Sequence, residues 1–190
     1  MRRYPLWTVL ALLLLAAVAP APLGAAAPPA PRVPVFITSA GQSSDYVIVK
    51  QAVDALGLKS AAAPVAICCD IKSSRTVIIV FGADEKGMMA ARLTARTEQR
   101  RVEDILGKMR ACGLAIIGVY IGGPSESDPV TQRLLDASLN GVHYFIATRS
   151  ASTDEYFAAA AQKHGFQLTL IDNVGQLQAA ISSLFNAKAM

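Results

Sequence analysis

The sequence predicts an α/β protein in which helices cover both faces of a five-stranded, mostly parallel β-sheet. Two observations predict this fold class. Apolar, β-branched runs alternate with helical segments from residue 35 onwards, which is the pattern of successive βα units. Two of these runs, Thr76–Phe81 and Leu114–Ile121, are continuously apolar, as expected of central strands buried on both faces. Because parallel strands are joined by right-handed crossovers, we expect a three-layer flavodoxin-like or Rossmann-like sandwich with strand order 2-1-3-4-5.

The first half of the predicted domain contains one clear strand, one helix and one ambiguous stretch. Val35–Thr38 is a short β-like run, and a serine or aspartate within residues 43–45 can cap the helix that follows. Residues 60–63 are a candidate edge strand. Residues 65–71 fit either a strand or one to two helical turns, because short apolar runs do not distinguish the two. The first helix ends at Gly57, and its expected apolar face contains Val47, Val49, Val53 and Leu56.

The second half repeats the alternation of strands and helices. After the strand Thr76–Phe81 and a loop over 82–87, a long helix is expected to run to about Cys112, where Gly113 ends it. Its apolar face has helical spacing and contains Val102, Ile105, Leu106 and Met109. Three further strands are expected over 114–121, 143–147 and 166–171. The helices between and after them are expected over 129–139, with proline in the first turn, and over 174–186. Another helix is capped by Thr153 or Asp154, runs to His164 and is closed by Gly165.

The three cysteines are an odd number, so at least one thiol of an exported chain stays unpaired or pairs between molecules. A disulfide between the neighbours Cys68 and Cys69 would close a strained ring. Either of them can pair with Cys112 if the fold brings the Cα atoms within about 7 Å. The favoured expectation is burial without pairing.

Residues 1–27 have the three parts of a secretory signal peptide. Arg2 and Arg3 form a short positive region, an apolar run from Leu6 to Ala19 follows, and small residues occupy positions 24–27. The run is shorter than the ~20 residues that a membrane-spanning helix needs, which favours cleavage after Ala26 or Ala27 over an uncleaved anchor. A stiff, proline-rich linker over 28–34 and a single α/β domain over 35–190 complete the expected organisation.

The leader predicts export through the general secretory route to the cell envelope, the periplasm or the extracellular space. No cysteine lies near the cleavage site, so a lipoprotein is not expected. The residues that normally surround a twin-arginine pair are absent around Arg2 and Arg3. Loss of these two arginines lowers the formal net charge from +4 to +2, which gives no basis for nucleic-acid binding. After signal cleavage we expect no association with a membrane.

Three segments of the sequence resemble an exported bacterial family, domain of unknown function 6305. They are Phe36-Ile37-Thr38-Ser39-Ala40-Gly41-Gln42-Ser43, the pair Val80-Phe81-Gly82 and Lys86-Gly87, and Ile116-Ile117-Gly118-Val119-Tyr120-Ile121-Gly122-Gly123. The similarity covers residues 34–186, and its most specific part is the Thr-Ser-Ala-Gly-Gln-Ser segment. Members of the family are glycine-rich after the lysine–glycine pair, whereas this chain has Met88-Met89-Ala90-Ala91-Arg92, which weakens the case for a glycine cradle there. The resemblance implies the fold and export, and it implies no activity.

The candidate ligand site is the edge of the sheet where the carboxyl ends of the strands meet, near the point where the strand order reverses. The loop after the first strand offers an anion a glycine, two serines and the start of a helix, although helix capping alone also explains these residues. One helix terminus contributes roughly 0.3–1 kcal/mol. A millimolar site needs about 4.1 kcal/mol, so other loops must converge on this one. The predicted ligand-binding residues are Ser39, Gly41, Gln42, Ser43, Ser44, Lys86, Gly122 and Gly123.

Cofactor and metal chemistry find little support in the sequence. The loops over 82–87 and 122–128 lack the aromatic residues that would stack a flavin, and no Gly-x-Gly-x-x-Gly segment follows a strand. The two histidines, His143 and His164, have no spacing typical of a zinc site. No Gly-x-Ser-x-Gly nucleophile elbow is present. We therefore expect no cofactor and no bound metal.

Arg92, Arg96 and Arg100 recur every four residues and would form a basic stripe on one helix, beside Arg101. Such a stripe can meet an acidic protein partner or an anionic surface, or it can be a solvated face.

Two functional hypotheses from different classes follow from the sequence. The first is an exported domain that binds a small anionic ligand or a protein partner without chemistry. The alternative is a hydrolase or transferase that uses the same loops, with Ser43 and Lys86 as the residues to test. A scaffold without a small-molecule site is a third possibility.

Overall fold

The computed structural model describes residues 27–151 and 155–186 and forms an α/β sandwich with a six-stranded sheet. Every strand pair is parallel, and the order across the sheet is β2-β1-β3-β4-β5-β6. The strands are β1 (Val35–Ala40), β2 (Ser60–Ala62), β3 (Thr76–Phe81), β4 (Ala115–Tyr120), β5 (Tyr144–Thr148) and β6 (Gln167–Ile171).

The predicted strand count was therefore wrong by one, because the short run at residue 60 pairs with β1 as a full member of the sheet. The predicted order holds for the first five strands, and β6 follows β5 at the far edge. A sheet described as mostly parallel is parallel throughout its described pairs. The finer flavodoxin-like or Rossmann-like assignment stays a prediction.

Helices pack on both faces of the sheet, as predicted. They are α1 (Asp45–Ala55), α2 (Cys68–Ile71), α3 (Glu85–Ala90), α4 (Ala95–Ala111), α5 (Pro129–Ser138), α6 (Tyr156–His164) and α7 (Leu177–Asn186). The helices α1 and α7 cover one face of the sheet, and the side chains of Ile78 and Val80 point towards them into the core. The helices α2, α4, α5 and α6 cover the other face, where Ile79 and Phe81 point. Alternation along the continuously apolar β3 thus fills both cores.

The structure corrects the long helix expected up to Cys112, which is two helices separated by a turn. Helix α3 ends at Ala90, and Arg92 adopts a left-handed conformation with φ of 55°. Helix α4 starts afresh because Thr94 caps it: the Thr94 hydroxyl accepts from the N–H of Thr97 at 3.2 Å, and the Thr97 hydroxyl accepts from the N–H of Thr94 at 2.8 Å. Because of this reciprocal cap, α4 begins only at Ala95, whereas its apolar spacing suggests one continuous helix for the whole segment.

Several element ends differ from the predicted ones. Strand β1 continues to Ala40, so Ser39 lies inside it. Residues 65–71 contain the single helical turn α2. The helix expected from Val174 begins with a 3-10 turn over Val174–Gln176, before α7 starts at Leu177. The expected caps Thr153 and Asp154 lie outside the described residues.

The apolar face predicted for the first helix is partly correct. Val49 and Val53 are buried, and Leu56 packs partly against the same core, whereas Val47 is 42% exposed. The cysteines also differ from expectation. All three are unpaired, but Cys69 and Cys112 are exposed and Cys68 is half-buried. Burial therefore does not explain their lack of pairing.

The proline-rich segment before β1 contacts the amino-terminal edge of the sheet. The carbonyl of Pro29 accepts from the Tyr144 hydroxyl at 3.3 Å. The Thr76 hydroxyl accepts from the N–H of Arg32 and donates to its carbonyl, both at 2.7 Å. The carbonyl of Pro34 accepts from the N–H of Arg75 at 2.9 Å. The segment thus runs along the edge opposite to the one where the strands end.

Two glycine-to-alanine substitutions are expected to change stability in opposite directions. A Cβ at Gly118 would lie 2.4 Å from the buried ring of Phe145, so Gly118→Ala should destabilise the fold by about 1–3 kcal/mol. A Cβ at Gly107, on the exposed side of α4, would meet nothing within 4 Å. Gly107→Ala should therefore stabilise by about 0.4–1 kcal/mol. Urea unfolding measures both, and equal effects of the two variants would contradict this packing of β4 on β5.

Candidate functional site

The strand order reverses between β1 and β3, so the crevice beyond their carboxyl ends is the place where an open parallel sheet usually binds ligands. In this protein the two loops at that crevice bind each other. The N–H of Ser43 donates to the carbonyl of Gly82 at 3.0 Å, and the N–H of Asp84 donates to the carbonyl of Gly41 at 2.8 Å. The crevice is thus bridged by backbone hydrogen bonds.

This contact between loops explains the conformation of Gly41. Its φ is 102°, and a Cβ at this position would lie 2.4 Å from the carbonyl oxygen of Gly82. The sequence suggested that this glycine allows a ligand to approach the backbone. The structure shows that it allows the loop after β3 to approach the loop after β1, and the approach of a ligand to Gly41 stays a prediction.

A buried carboxylate lies beside this loop and accepts hydrogen bonds from it. Glu98 of α4 has no exposed surface, and its Oε1 accepts from the N–H of Gly41 at 2.8 Å and from the Gln42 side chain at 2.9 Å. Arg101 donates to both Glu98 oxygens, from Nη2 and from Nε, each at 2.8 Å. We call Gly41, Gln42, Glu98 and Arg101 the switch-point cluster.

Arg101 extends the switch-point cluster to the neighbouring elements. Its guanidinium donates to the carbonyl of Ala66 at 2.8 Å and to the carbonyl of Ser39. Its side chain is only 9% exposed. The ion pair between Glu98 and Arg101 therefore connects α4 to the end of β1 and to the loop that follows β2.

Burial opposes ionisation of Glu98, but the hydrogen bonds and the positive charge of Arg101, together with the Gly41 and Gln42 donors, outweigh it and lower the Glu98 pKa. Glu98 is therefore ionised at neutral pH. The lowered pKa also means that this carboxylate stabilises the fold in neutral solution and loses that effect in acid.

The structure brings five of the eight predicted ligand-binding residues together around the end of β1. Ser39 is buried, and its hydroxyl donates to the Ser43 carbonyl at 3.4 Å. The Ser43 hydroxyl accepts from the N–H of Asp45 at 3.2 Å. Ser44 is the residue before α1 but makes no side-chain capping bond. Gly41 and Gln42 belong to the switch-point cluster. Several groups that were predicted to bind an anion therefore already have hydrogen-bond partners inside the chain.

The other three predicted residues lie farther along the same edge. Lys86 is exposed in the first turn of α3. Gly122 and Gly123 follow β4, and their carbonyls accept from the hydroxyls of Thr148 and Tyr120 at 3.4 and 2.6 Å. They are separated from β1 by β3. A single ligand site that includes all eight residues stays a prediction.

The basic stripe is not a stripe on one helix. Arg92 lies in the turn between α3 and α4, while Arg96 and Arg100 are exposed on α4. Arg101, their neighbour, points inward to Glu98. A protein partner at Arg92, Arg96 and Arg100 stays a prediction, now for a surface that spans a turn and a helix.

Both histidines lie at the opposite, amino-terminal edge of the sheet. His143 precedes β5, and its Nδ1 accepts from the N–H of Ile116 at 3.1 Å. Burial, followed by the charge of Arg110, lowers the His143 pKa. His164 lies in the last turn of α6. Within residues 27–151 and 155–186, no three His, Cys, Asp or Glu side chains are grouped as metal ligands.

An open groove lies next to the switch-point cluster, across the carboxyl ends of β3 and β4. Its volume is about 590 Å³, within the ~300–1,000 Å³ typical of small-molecule sites. Met88 is buried there, whereas Met89 is 73% exposed. The groove, which we call the methionine groove, is lined by Ala83, Glu85, Met88, Met89, Leu93, Thr94, Ala95, Asp128 and Val130.

Two acidic residues of this edge are engaged in helix capping. Asp84 accepts from the N–H of Lys86 at 3.0 Å and from the N–H of Gly87 at 3.3 Å, at the start of α3. Asp128 accepts from the N–H of Val130 at 3.0 Å and from the Thr131 hydroxyl at 2.6 Å, at the start of α5. The Thr131 hydroxyl in turn accepts from the N–H of Ala83 at 2.8 Å. These bonds fix the walls of the groove.

Sequence reasoning missed Glu98, Arg101 and the methionine groove. A signal for Glu98 was present, because Glu98 precedes Val102, Ile105 and Met109 at helical spacing and therefore lies on the buried face of α4. A carboxylate on an apolar helix face with an arginine three residues later predicts a buried ion pair.

None of the described helices is both long and apolar enough to cross a membrane.

Glu98→Gln is expected to lower the free energy of unfolding by about 3–5 kcal/mol, because it leaves the Arg101 guanidinium buried beside a neutral amide. Asp104→Asn is the matched control. It breaks an exposed ion pair with Lys108, 2.7 Å long, on the same helix and should cost less than about 1 kcal/mol. Urea unfolding at neutral pH measures both variants. Equal losses would contradict the role of Glu98.

The pH dependence of the same comparison gives a second readout. The folded pKa of Glu98 lies below the unfolded value, about 4.3, so the stabilisation is complete above that pH and is lost as the pH falls through the folded pKa. The difference between wild type and Glu98→Gln should shrink in acid.

Comparisons with known proteins agree with the family that the sequence resembles. A family model described as "Domain of unknown function (DUF6305)" matches residues 32–185. No curated protein matches. A crystal structure of the psychrotrophic esterase EstA from Pseudoalteromonas sp., inhibited by monoethylphosphonate, is similar at 9% identity and a TM-score of 0.37, over 80% of this chain and 96% of the esterase chain. Because the family model spans most of the sequence, the chain belongs to the DUF6305 family.

Proposed function

We propose that this protein is an exported, non-catalytic binding domain whose ligand occupies the methionine groove at the carboxyl edge of the sheet. The observation that carries this proposal is an open, mostly apolar groove of about 590 Å³ beside a switch point that the chain fills with its own carboxylate. Met88, Leu93 and Val130 offer a ligand an apolar surface, and the exposed thioether side chain of Met89 can adapt to its shape.

We take the ligand to be an amphiphile whose apolar chain fills the groove and whose anionic group lies outside the lining, because the charged side chains of the lining itself are the carboxylates Glu85 and Asp128. Lys86, Arg92 and Arg96 are exposed and follow or flank groove-lining residues along the chain. The ion pairs of the described residues involve none of these three cations. The proposed ligand is therefore still anionic, as inferred from the sequence, but we place it in the methionine groove and no longer at the loop after β1.

The placement of acidic and basic side chains supports binding rather than catalysis. Glu98, Asp84 and Asp128 hold structural hydrogen bonds at this edge, and both histidines lie at the other edge of the sheet. The Ser43 hydroxyl accepts a backbone N–H, in the manner of a helix-capping residue. A hydrolase or transferase that uses Ser43 and Lys86 remains the alternative that the experiment below separates.

The experiment is a thermal-shift titration with dodecanoate, dodecanol and inorganic phosphate. We expect dodecanoate to stabilise the protein most, since it fills the groove and meets the cations. Saturation at 100 times the dissociation constant adds about 2.7 kcal/mol, which moves the melting temperature by several degrees. Met89→Asp should abolish the shift, and Val47→Asp, at another exposed apolar residue, should leave it intact.

Three outcomes would contradict this assignment. A shift with phosphate that is lost in Ser43→Ala would return the ligand to the loop after β1. Turnover of a dodecanoyl ester that is lost in Ser43→Ala or Lys86→Ala would favour the enzyme. No shift with any of the three compounds would favour a scaffold.

Export is the second part of the proposal, and it rests on the leader within residues 1–27. Cleavage after Ala26 or Ala27 would leave the contacts of Pro29, Arg32 and Pro34 with the sheet intact. Expression of the full chain in a bacterium should yield a mature protein that starts at residue 27 or 28 by mass spectrometry. An intact leader on the recovered protein would contradict a cleaved signal peptide.

A further inference from the structure

Strand β6 forms one outer edge of the sheet and pairs only with β5 among the described strands. Gln167 lies opposite Tyr144, and its N–H donates to the His143 carbonyl at 3.0 Å. In a parallel pair of strands, every second residue bonds to the neighbouring strand. Gln167, Thr169 and Ile171 are therefore the residues of β6 that bond to β5. The N–H and carbonyl groups of Leu168 and Leu170 therefore point away from the sheet, where they can pair with another strand.

The two edges of the sheet differ in how well they are protected. At the other edge β2 has only three residues, and very short edge strands resist further pairing. Strand β6 has five residues, Gln-Leu-Thr-Leu-Ile, and contains no charge, proline or glycine. Leu170 and Val174 beside it are each 37% exposed. An uncharged edge of this length is a pairing surface unless another chain covers it.

We propose that β6 pairs with β6 of a second copy of this chain, antiparallel and about a two-fold axis at Thr169. This register pairs Leu168 of each copy with Leu170 of the other, and it uses all four outward N–H groups in hydrogen bonds between copies. The two Thr169 side chains then face each other as a non-hydrogen-bonded pair, an arrangement in which threonines pair favourably. The inference is independent of the ligand proposed for the methionine groove.

A second copy suits this edge because the strand is complementary to itself. Its five residues carry no charge, so the two-fold places no like charges opposite each other. Because β2 is short, the assembly closes as a dimer and forms a continuous twelve-stranded sheet.

Sedimentation velocity over a dilution series of the mature chain tests the proposal, with reductant present because Cys69 and Cys112 are exposed. We expect a monomer–dimer equilibrium. Thr169→Arg and Thr169→Asp should each raise the dissociation constant about tenfold or more, because each places like charges across the axis. An equimolar mixture of the two variants should recover the dimer. A structural defect at residue 169 would not give this recovery.

Ala61→Arg on the exposed face of β2 is the matched control and should leave the dimer unchanged. A wild-type chain that stays monomeric at about 1 mM would overturn the proposal. So would a dimer that Thr169→Arg leaves intact, or one that Ala61→Arg disrupts.

Discussion

The ion pair between Glu98 and Arg101 is the interaction on which the carboxyl edge of this protein depends. Two opposite charges are removed from water, which is tolerated only when hydrogen bonds satisfy the remaining donors and acceptors. Here the Gly41 N–H and the Gln42 amide complete the carboxylate, while carbonyls of Ser39 and Ala66 complete the guanidinium. Removal of either partner would leave a buried charge without its counterion and would release two loops and a helix at once.

This interaction also determines which part of the edge is open to a ligand. A parallel sheet with a reversed strand order offers a crevice at the reversal, and an anion at a loop of this kind is usually held by backbone N–H groups. In this chain the anion is a side chain of α4, so the crevice is internal structure. The accessible surface begins one strand farther on, where the turn between α3 and α4 and the start of α5 border the methionine groove.

Much of the fold could be predicted from the sequence because the pattern of side chains carries it. The apolar runs at β3 and β4 identify buried strands without ambiguity, and their alternation with helices fixes a parallel sheet. Strand β2 was uncertain because three residues are too few to show a periodicity. The turn at Arg92 was missed because the cap between Thr94 and Thr97 competes with a helical pattern that continues on both sides.

For the candidate site, the sequence predicts only the edge of the sheet at which it lies. Sequence reasoning predicted an anionic ligand at the loop of Gly41 and Ser43, which stays a prediction, and it could not show that the Gly41 N–H is bonded to the chain's own Glu98 carboxylate. Which donors stay free depends on contacts between loops that are distant in sequence, such as the approach of Gly82 to Gly41. Periodicity and composition describe elements, whereas such contacts depend on how the elements dock.

The most direct test of Glu98 as an internal anion is rescue by acetate. Glu98→Ala removes about the atoms of one acetate ion and leaves the Gly41 N–H, the Gln42 amide and the Arg101 guanidinium without their acceptor. Acetate should raise the urea midpoint of Glu98→Ala more than chloride does at the same ionic strength, and it should not raise that of the wild type. An equal response of both proteins to acetate would contradict the assignment of this position as an anion site that Glu98 fills.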